Sequence, residues 1–455
     1  MNSQHKFFRI FTLCTFFIFF GIFTGWSQSA VDAIRIMDNQ IGFGARAMGM
    51  GGAYTGIADD YSAVFWNPAG LAQIPKMEFW MGISHLHFSN ESNLNGSIID
   101  ASLNATKFNS LGMVFPIPTY RGSLVFALGY QKVKDFEYIN DYFGVSDRGE
   151  LELFDVDPND PDQPYYFSGQ EVQKEGLATD EGNMSQYTFS GAIDVAPNIS
   201  VGASIFYWKG RSDYTEDFRQ LDIYDNFIFF PADFDEYVDN SYITDRYSSF
   251  GLKLSSLFRL GKDARVGIGM HIPQTFNIKE EWGYNSTVYF DNGDFLDYAD
   301  DDEFEYEVQI PFRFQAGGSV ALGNILGAAN LEYIDWTQFE FQTSEFRQEN
   351  IDIRRNYRGT LMWNVGAEIG IPLMASQIRA GFMYKPSPLA DAQSEFNRKY
   401  ITVGYGLLYG RIVKVDLAYM YGFWKQITGS DISPQGITEE DIKYHKLLLT
   451  FSYRF

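Results

Sequence analysis

Apolar and polar residues alternate one by one through much of the chain, most cleanly at its end. From Lys446 to Phe455, Leu447, Leu449, Phe451, Tyr453 and Phe455 fall on one face, while Lys446, Thr450, Ser452 and Arg454 fall on the other. Side chains of a strand point alternately to opposite faces, so this segment has one apolar and one polar surface. A soluble sheet alternates too. A strand that crosses a bilayer, however, must present one face to lipid and the other to the interior over the whole crossing. Val201 to Tyr207, Val266 to Ile272 and Val413 to Tyr419 repeat the pattern. In the last of these, Lys414 and Asp416 take the polar parity, the only one where charge is tolerated in such a strand.

Fourteen segments of this kind are predicted: 77–88, 107–116, 122–134, 186–196, 199–212, 246–260, 264–280, 308–322, 325–341, 357–371, 376–387, 398–410, 412–425 and 444–455. Short links at Pro118 to Tyr120, Pro197-Asn198, Gly261 to Asp263, Gly323-Asn324, Pro372 to Ser376 and Gly410 carry turn-forming residues. Between them fall long links at 89–106, 135–185, 213–245, 281–307, 342–356, 388–397 and 426–443. An even strand number with short periplasmic turns and long external loops is the arrangement of an outer-membrane barrel with both termini periplasmic. The expected fold class is all-β, a 14-stranded antiparallel transmembrane β-barrel spanning 77–455, in the outer membrane of a Gram-negative-type bacterium.

The start of the chain agrees with export. Lys6 and Arg9 precede an apolar run from Ile10 to Phe23, and Ser27 and Ser29 supply small residues at its exit. That is the order of a secretory signal peptide, here 1–29. An uncleaved anchor is the rival reading, for which the run is short. The single cysteine, Cys14, lies inside this leader, so thiol chemistry is not expected of the mature chain. Loss of Lys6 and Arg9 takes 35 basic residues to 33 against 58 acidic ones, about −25. Nucleic-acid affinity comes from neutralising phosphates, so no nucleic-acid partner is expected. Aromatic residues make up 17% of the chain, which suits interfacial girdles. The acid concentrates in the long links, above all in 291–307 and in 155–162. The latter could be read as a calcium loop, but Asp160 and Tyr166 stand where an EF-hand has its glycine and its bidentate glutamate. Solvated external loops are the plainer reading.

Ahead of the first strand the texture changes. Gly42 to Asp60 is rich in small residues, including Gly49, Gly51 and Gly52, and ends in Ala58-Asp59-Asp60; Tyr61 to Ala72 follows, with Asn67-Pro68-Ala69 inside it. Glycine permits close backbone approach, and no nucleotide-loop spacing is present, so a compact segment 30–76 packed inside the lumen explains the composition. With Leu111 to Pro118, Tyr333 to Phe339 and Pro386-Ser387-Pro388, these residues resemble the FadL/TodX family of outer-membrane transporters of long-chain fatty acids and other hydrophobic compounds. The resemblance implies a fourteen-stranded barrel plugged by an N-terminal hatch. It also implies capture of the solute at an external apolar groove, passage to an internal pocket, and lateral release at a kinked third strand, where Gly129 is the candidate.

Phe43, Met48, Met50, Phe65 and Trp66 are candidates for hatch-side contacts to an apolar solute, or else simply pack the plug against the wall. Lys253 and Arg313 face the lumen by parity, and Arg313 is the candidate partner for a fatty-acid carboxylate, although Glu332 and Glu368 face inward as well. Tyr453 and Phe455 form the expected signal for the barrel-assembly machinery, and the outer face would meet membrane lipid and lipopolysaccharide. No cofactor or metal is expected, since no Cys/His cluster has ligand spacing. Catalysis is the second class considered: His85 and His87 share a face, but no nucleophile motif accompanies them. A third is suggested by Arg46 to Gly52 with Phe65 to Gly70, which is also similar to the type IX secretion shuttle barrels, distant relatives of the same family. An importer of aromatic hydrocarbons remains a further alternative.

Overall fold

A computed structural model describes residues 30–148, 156–157, 160–164, 168–227, 234–410, 412–428 and 438–455. The leader 1–29 lies outside these, as do residues 155, 158 and 159 of the calcium-loop segment 155–162 and Tyr166 beyond it. Fourteen staves form the wall. They are β1 (Glu78–Leu94), β2 (Ser97–Ile117), β3 (Leu124–Asp135, resuming as Tyr138–Arg148), β4 (Ser168–Ala196), β5 (Ile199–Leu221) and β6 (Phe234–Leu260). Next come β7 (Ala264–His271 and Gln274–Phe290), β8 (Phe295–Ile310 and Arg313–Leu322) and β9 (Ile325–Asp335, with Glu340–Phe341). The last five are β10 (Gly359–Ile371), β11 (Ser376–Lys385), β12 (Arg398–Tyr409), β13 (Val413–Thr428) and β14 (Thr438–Arg454). Neighbours in sequence pair antiparallel, and β1 pairs with both β2 and β14, so the sheet closes into a ring.

Burial is inverted relative to a soluble barrel. Outward positions carry exposed apolar side chains such as Ile205, Phe250, Leu331, Leu361, Ile401 and Leu447. Inward positions carry buried polar ones such as Ser190, Ser204, Asn330, Asn364, Arg379, Asp416 and Thr450. Only a lipid surround stabilises that arrangement. Tyr453 and Phe455 sit on the outward face of β14 and its end, as their parity requires.

The staves outrun the predicted segments at the long-loop end. The predicted link 89–106 is mostly strand: β1 and β2 continue to a tight turn in which Asn95 and Gly96 both take positive φ, 51° and 95°. β7 and β8 likewise run through 281–307 to a turn at Gly293. Part of 342–356 is a helix, Arg347–Asn356. The signal read from the sequence was contrast between a lipid face and a lumen face. Beyond the membrane both faces are polar, so contrast vanishes although the ladder continues.

The third stave is the irregular one. Gly129 lies in regular register, opposite Gly112 on one side and Thr188 on the other, so the expected kink is not there. The ladder to β4 shifts between Lys132 and Lys134, and the strand breaks at Phe136-Glu137. β2 pairs with β3 only from Ser110 to Ile117. Beyond that seam Tyr138–Arg148 folds inward across β1 and β14: Asn90 Nδ2 donates to the Ile139 carbonyl (2.9 Å) and Tyr138 Oη to Glu440 (3.0 Å). Lys107 reaches across the seam to the Gly182 carbonyl (2.7 Å).

Candidate functional site: the barrel interior

Residues 30–74 touch staves all round the ring and therefore lie inside it. Tyr61 meets β2 and β3, Ala69 meets β5, Thr55 meets β7, Gly56 meets β8, Met50 meets β10 and β11, Gly49 meets β12, and the Ala45 amide donates to Thr450 Oγ1 on β14 (3.0 Å). Two of these seats are cross-strand glycine pairs. Gly366 faces Gly381, and a Cβ at either would lie 2.2–2.3 Å from the backbone of Met50 and Gly51. Gly112 faces Gly129, and the Tyr61 ring fills the space of both missing side chains, its hydroxyl donating to Gln131 Oε1 (2.9 Å). Backbone can approach backbone this closely only where Cβ is absent.

The Asn-Pro-Ala stretch is an internal tie. Asn67 Oδ1 caps the Ala69 amide (3.2 Å), and its Nδ2 donates to the Thr55 carbonyl (2.8 Å). Asp60 accepts from the Ser62 amide (3.1 Å) and from Tyr54 Oη (2.7 Å). Asp59 pairs with Arg46, which also grips Glu368 of β10 (2.9 Å); Arg379, fully buried, bridges Glu368 (2.6 Å) and Asp416 (2.7 Å). Burial by itself would raise the Asp59 carboxyl. Arg46, with Lys414, Arg265 and Arg454 around it, holds the group below its ordinary value.

Before the plug runs a short arm. A helical turn, α1 (Ala30–Arg35), leads through Ile36 and Met37 to Asp38-Asn39-Gln40. Ala33, Ile34, Ile36 and Met37 are buried in a cage built from Phe136, Phe206, Trp208, Tyr247, Phe276, Tyr306 and Trp336, which is roofed by Phe346 and Ile353. Phe136 stacks on Tyr247 at 5.4 Å, and Trp208 meets Phe276 edge-on at 5.8 Å. The arm's polar end is clasped by several staves. Arg398 pairs with Asp38; Tyr400 Oη donates to Asn39 Oδ1 (2.6 Å); Lys385 Nζ donates to the Gln40 carbonyl (2.9 Å); Arg313 donates to Gln40 Oε1 (2.6 Å). Burial would raise the Asp38 carboxyl, but Arg398, helped by Lys385 and Lys134, brings it down to about 2.

The residues singled out from sequence separate into two groups. Phe43, Met48 and Met50 are fully buried between plug and wall, the packing role. Phe65 and Trp66, with Lys253, Arg313 and Gln315, line an enclosed cavity of about 20 Å³; a second, about 30 Å³, lies between Asp38, Arg313 and Lys385. Each has room for about one water. Lys253 donates to the Phe65 and Trp66 carbonyls (3.1 Å to the latter) and to Gln315 (3.0 Å), so it tethers the plug. Arg313 lies 3.8 Å from Glu332. Sequence reasoning passed over the cage aromatics and the Asp38, Lys385 and Arg398 cluster. Parity marks Lys385 and Arg398 as inward, but nothing local marks 33–38 as their partner.

Outside the wall, Leu111, Leu128, Tyr130, Tyr187, Ile205 and Phe250 line an open apolar groove of about 590 Å³ over the β2 to β6 region. Among the described residues no group of three potential metal ligands occurs.

Residues 171–455 match the family described as "Outer membrane protein transport protein (OMPP1/FadL/TodX)". In fold the chain is similar to a Pseudomonas aeruginosa FadL homologue (15% identity, 90% of this chain and 98% of that one, TM-score 0.59). It is similar also to the P. putida toluene transporter TodX (11%, 92% and 99%, 0.59) and to the CymD monoaromatic hydrocarbon channel (15%, 92% and 98%, 0.55). No curated protein matches it in sequence.

Proposed function

The chain belongs to the OMPP1/FadL/TodX family of outer-membrane transport proteins, a transport family and not an enzyme family, and on that premise we propose that it takes up long-chain fatty acids passively through a hatch-gated pocket. The observation that carries this reading is the aromatic cage in the lumen and the arm that fills it. An acyl chain of about a dozen methylenes gains on the order of 10 kcal/mol on leaving water, so capture is easy and release is the difficulty. A segment that occupies the cage in one state and leaves it in another gives the differential contact by which affinity can change. Here the arm 30–40 is that segment: with α1 in place the remaining cavities are too small for an acyl chain.

In this reading the solute enters from the long-loop end, displaces the arm, and leaves sideways through the seam above the Ser110–Gln131 pair, bypassing the plug beneath. Both termini are periplasmic, and Phe65 and Trp66 are the hatch residues nearest the pocket. The test is oleate uptake by cells that lack their own transporter and express this chain. Uptake that falls at least about tenfold with Asn67→Ala, while the barrel still shows heat-modifiable migration, supports hatch gating. No oleate uptake from a correctly folded barrel overturns the fatty-acid reading. A second reading, import of monoaromatic hydrocarbons, is favoured by one observation: the lumenal cations Lys253, Arg313 and Arg398 are already engaged, and a neutral solute asks nothing of them.

A further inference from the structure

We propose that the arm Ile34–Asp38 is a built-in mimic of the solute, and that Arg398 with Lys385 forms a carboxylate site which the Asp38 carboxylate occupies until an anionic amphiphile takes its place. This rests on the uptake reading above and deepens it, by assigning the chemical class of the solute and the group that recognises it.

The arm has the layout of a fatty acid. Its apolar part, Ile34, Ile36 and Met37, fills the aromatic cage, Arg35 between them turns aside to Asp180 and Asp245, and one carboxylate follows at Asp38, paired with Arg398. Lys134 lies close enough to help keep that carboxylate charged, but its hydrogen bond and the ion pair of Arg313 go elsewhere. Arg313 faces Glu332, and the Lys134 ammonium donates to the Arg35 carbonyl. Lys385 is held by a backbone carbonyl alone, that of Gln40. The fit of Asp38 is incomplete: Arg398 Nε is buried and has no hydrogen-bond partner among the described residues, nor has Gln40 Nε2. Asp38 is tied to a backbone that turns through Asn39 at φ 55°, and so meets the guanidinium through Nη1 only. A free carboxylate is not so constrained and can take both edges of the fork.

Charge decides which solutes can displace the arm. When Asp38 leaves with it, Arg398 and Lys385 stay half-buried in the lumen. A carboxylate arriving with the solute keeps them compensated; a neutral hydrocarbon leaves them without an anion, and breaking such a pair in that way is unfavourable. At the Arg398 and Lys385 site the exchange conserves charge, and the apolar parts trade places in one cage. Binding and release of the arm are therefore the same event.

The experiment measures equilibrium binding of oleate and of its methyl ester to the purified full-length barrel in detergent, with backbone hydrogen exchange of residues 30–38 as a second readout. The expected result is oleate binding about tenfold or more tighter than the ester, with faster exchange in 30–38 on oleate addition. Asp38→Asn tightens oleate and ester alike by several-fold and leaves their ratio unchanged, because the internal competitor is weakened for both and the cations remain. Arg398→Met brings the two ligands to within about twofold. If it fails to fold, the wild-type ratio and Asp38→Asn carry the test. Equal binding of acid and ester with unchanged exchange overturns the mimic and leaves the hydrophobic channel standing. Binding of neither overturns both.

Discussion

The arm (30–40) and the glycine-rich plug that follows it (41–73) share one barrel interior and are held there by opposite means. The plug meets the wall backbone to backbone. Gly366 and Gly381 leave no room for a Cβ against Met50, Gly112 and Gly129 leave none against Tyr61, and Arg46, Glu368, Arg379 and Asp416 form a buried ionic chain behind them. The arm meets the wall through wall side chains: four apolar residues sit in an aromatic cage, and a polar end is gripped by Arg398, Tyr400, Lys385 and Arg313. Backbone seated on glycine cannot shift by an ångström without collision, whereas side-chain contacts can be exchanged for equivalent ones from a ligand. The difference bears on the uptake proposed above: in it the plug is the fixed part of the hatch and the arm the replaceable part, lying where the solute would sit.

The sharpest way to break the comparison is to attack the fixed part. Arg379→Met leaves Glu368 and Asp416 buried with lost partners and is expected to cost about 3–5 kcal/mol, read as a drop in the unfolding midpoint in detergent. An unchanged midpoint would mean that the ionic chain does not hold the plug. Gly381→Val drives a side chain into the Met50 backbone, where little can yield; a loss of about 1–3 kcal/mol is expected, and Gly327→Val, where nothing lies within 4 Å, serves as the neutral control. Truncation in the arm should behave differently. Ile36→Ala removes buried apolar contact and is expected to raise affinity for oleate by about tenfold while the barrel's unfolding midpoint moves by less than about a degree, because the cage then binds its own filler less tightly. A fall in oleate affinity would show that the arm supports the pocket and does not compete for it.

The smallest effect expected is on pH. The Asp38 carboxyl is lowered to about 2 in the folded arm, from an ordinary value of 3.8. Its contribution is therefore fully present above about pH 4 and is lost as pH falls through about 2. Exchange of amides 30–38 should quicken across that window and the plug's amides should not; Asp38→Asn should abolish the step.

Much of this architecture was legible beforehand, and for definite reasons. Membrane strands alternate between lipid and lumen, so period two, the alternating link lengths and the parity of Lys414, Asp416, Lys253 and Arg313 could be read residue by residue, and the fourteen staves followed. The composition of 42–72 announced close packing, and the motifs around Asn67 and Trp336 announced the family. Strand ends were misjudged wherever both faces met water, since the signal there has no contrast. Gly129 drew attention because the family resemblance implied a kinked third strand; in the structure it seats Tyr61, a residue 68 positions earlier.

The chain's own pattern thus determined the barrel and its strand number, because both follow from periodicity within a segment, while the composition of 42–72 marked a segment that packs closely. Tertiary structure alone decided that 30–38 fills an aromatic cage drawn from several staves, that Asp38 meets Arg398 across 360 residues, and that the third stave departs at Phe136. Those are contacts between segments remote in sequence. Their partners share no local pattern, and closure of the ring is what brings them within reach.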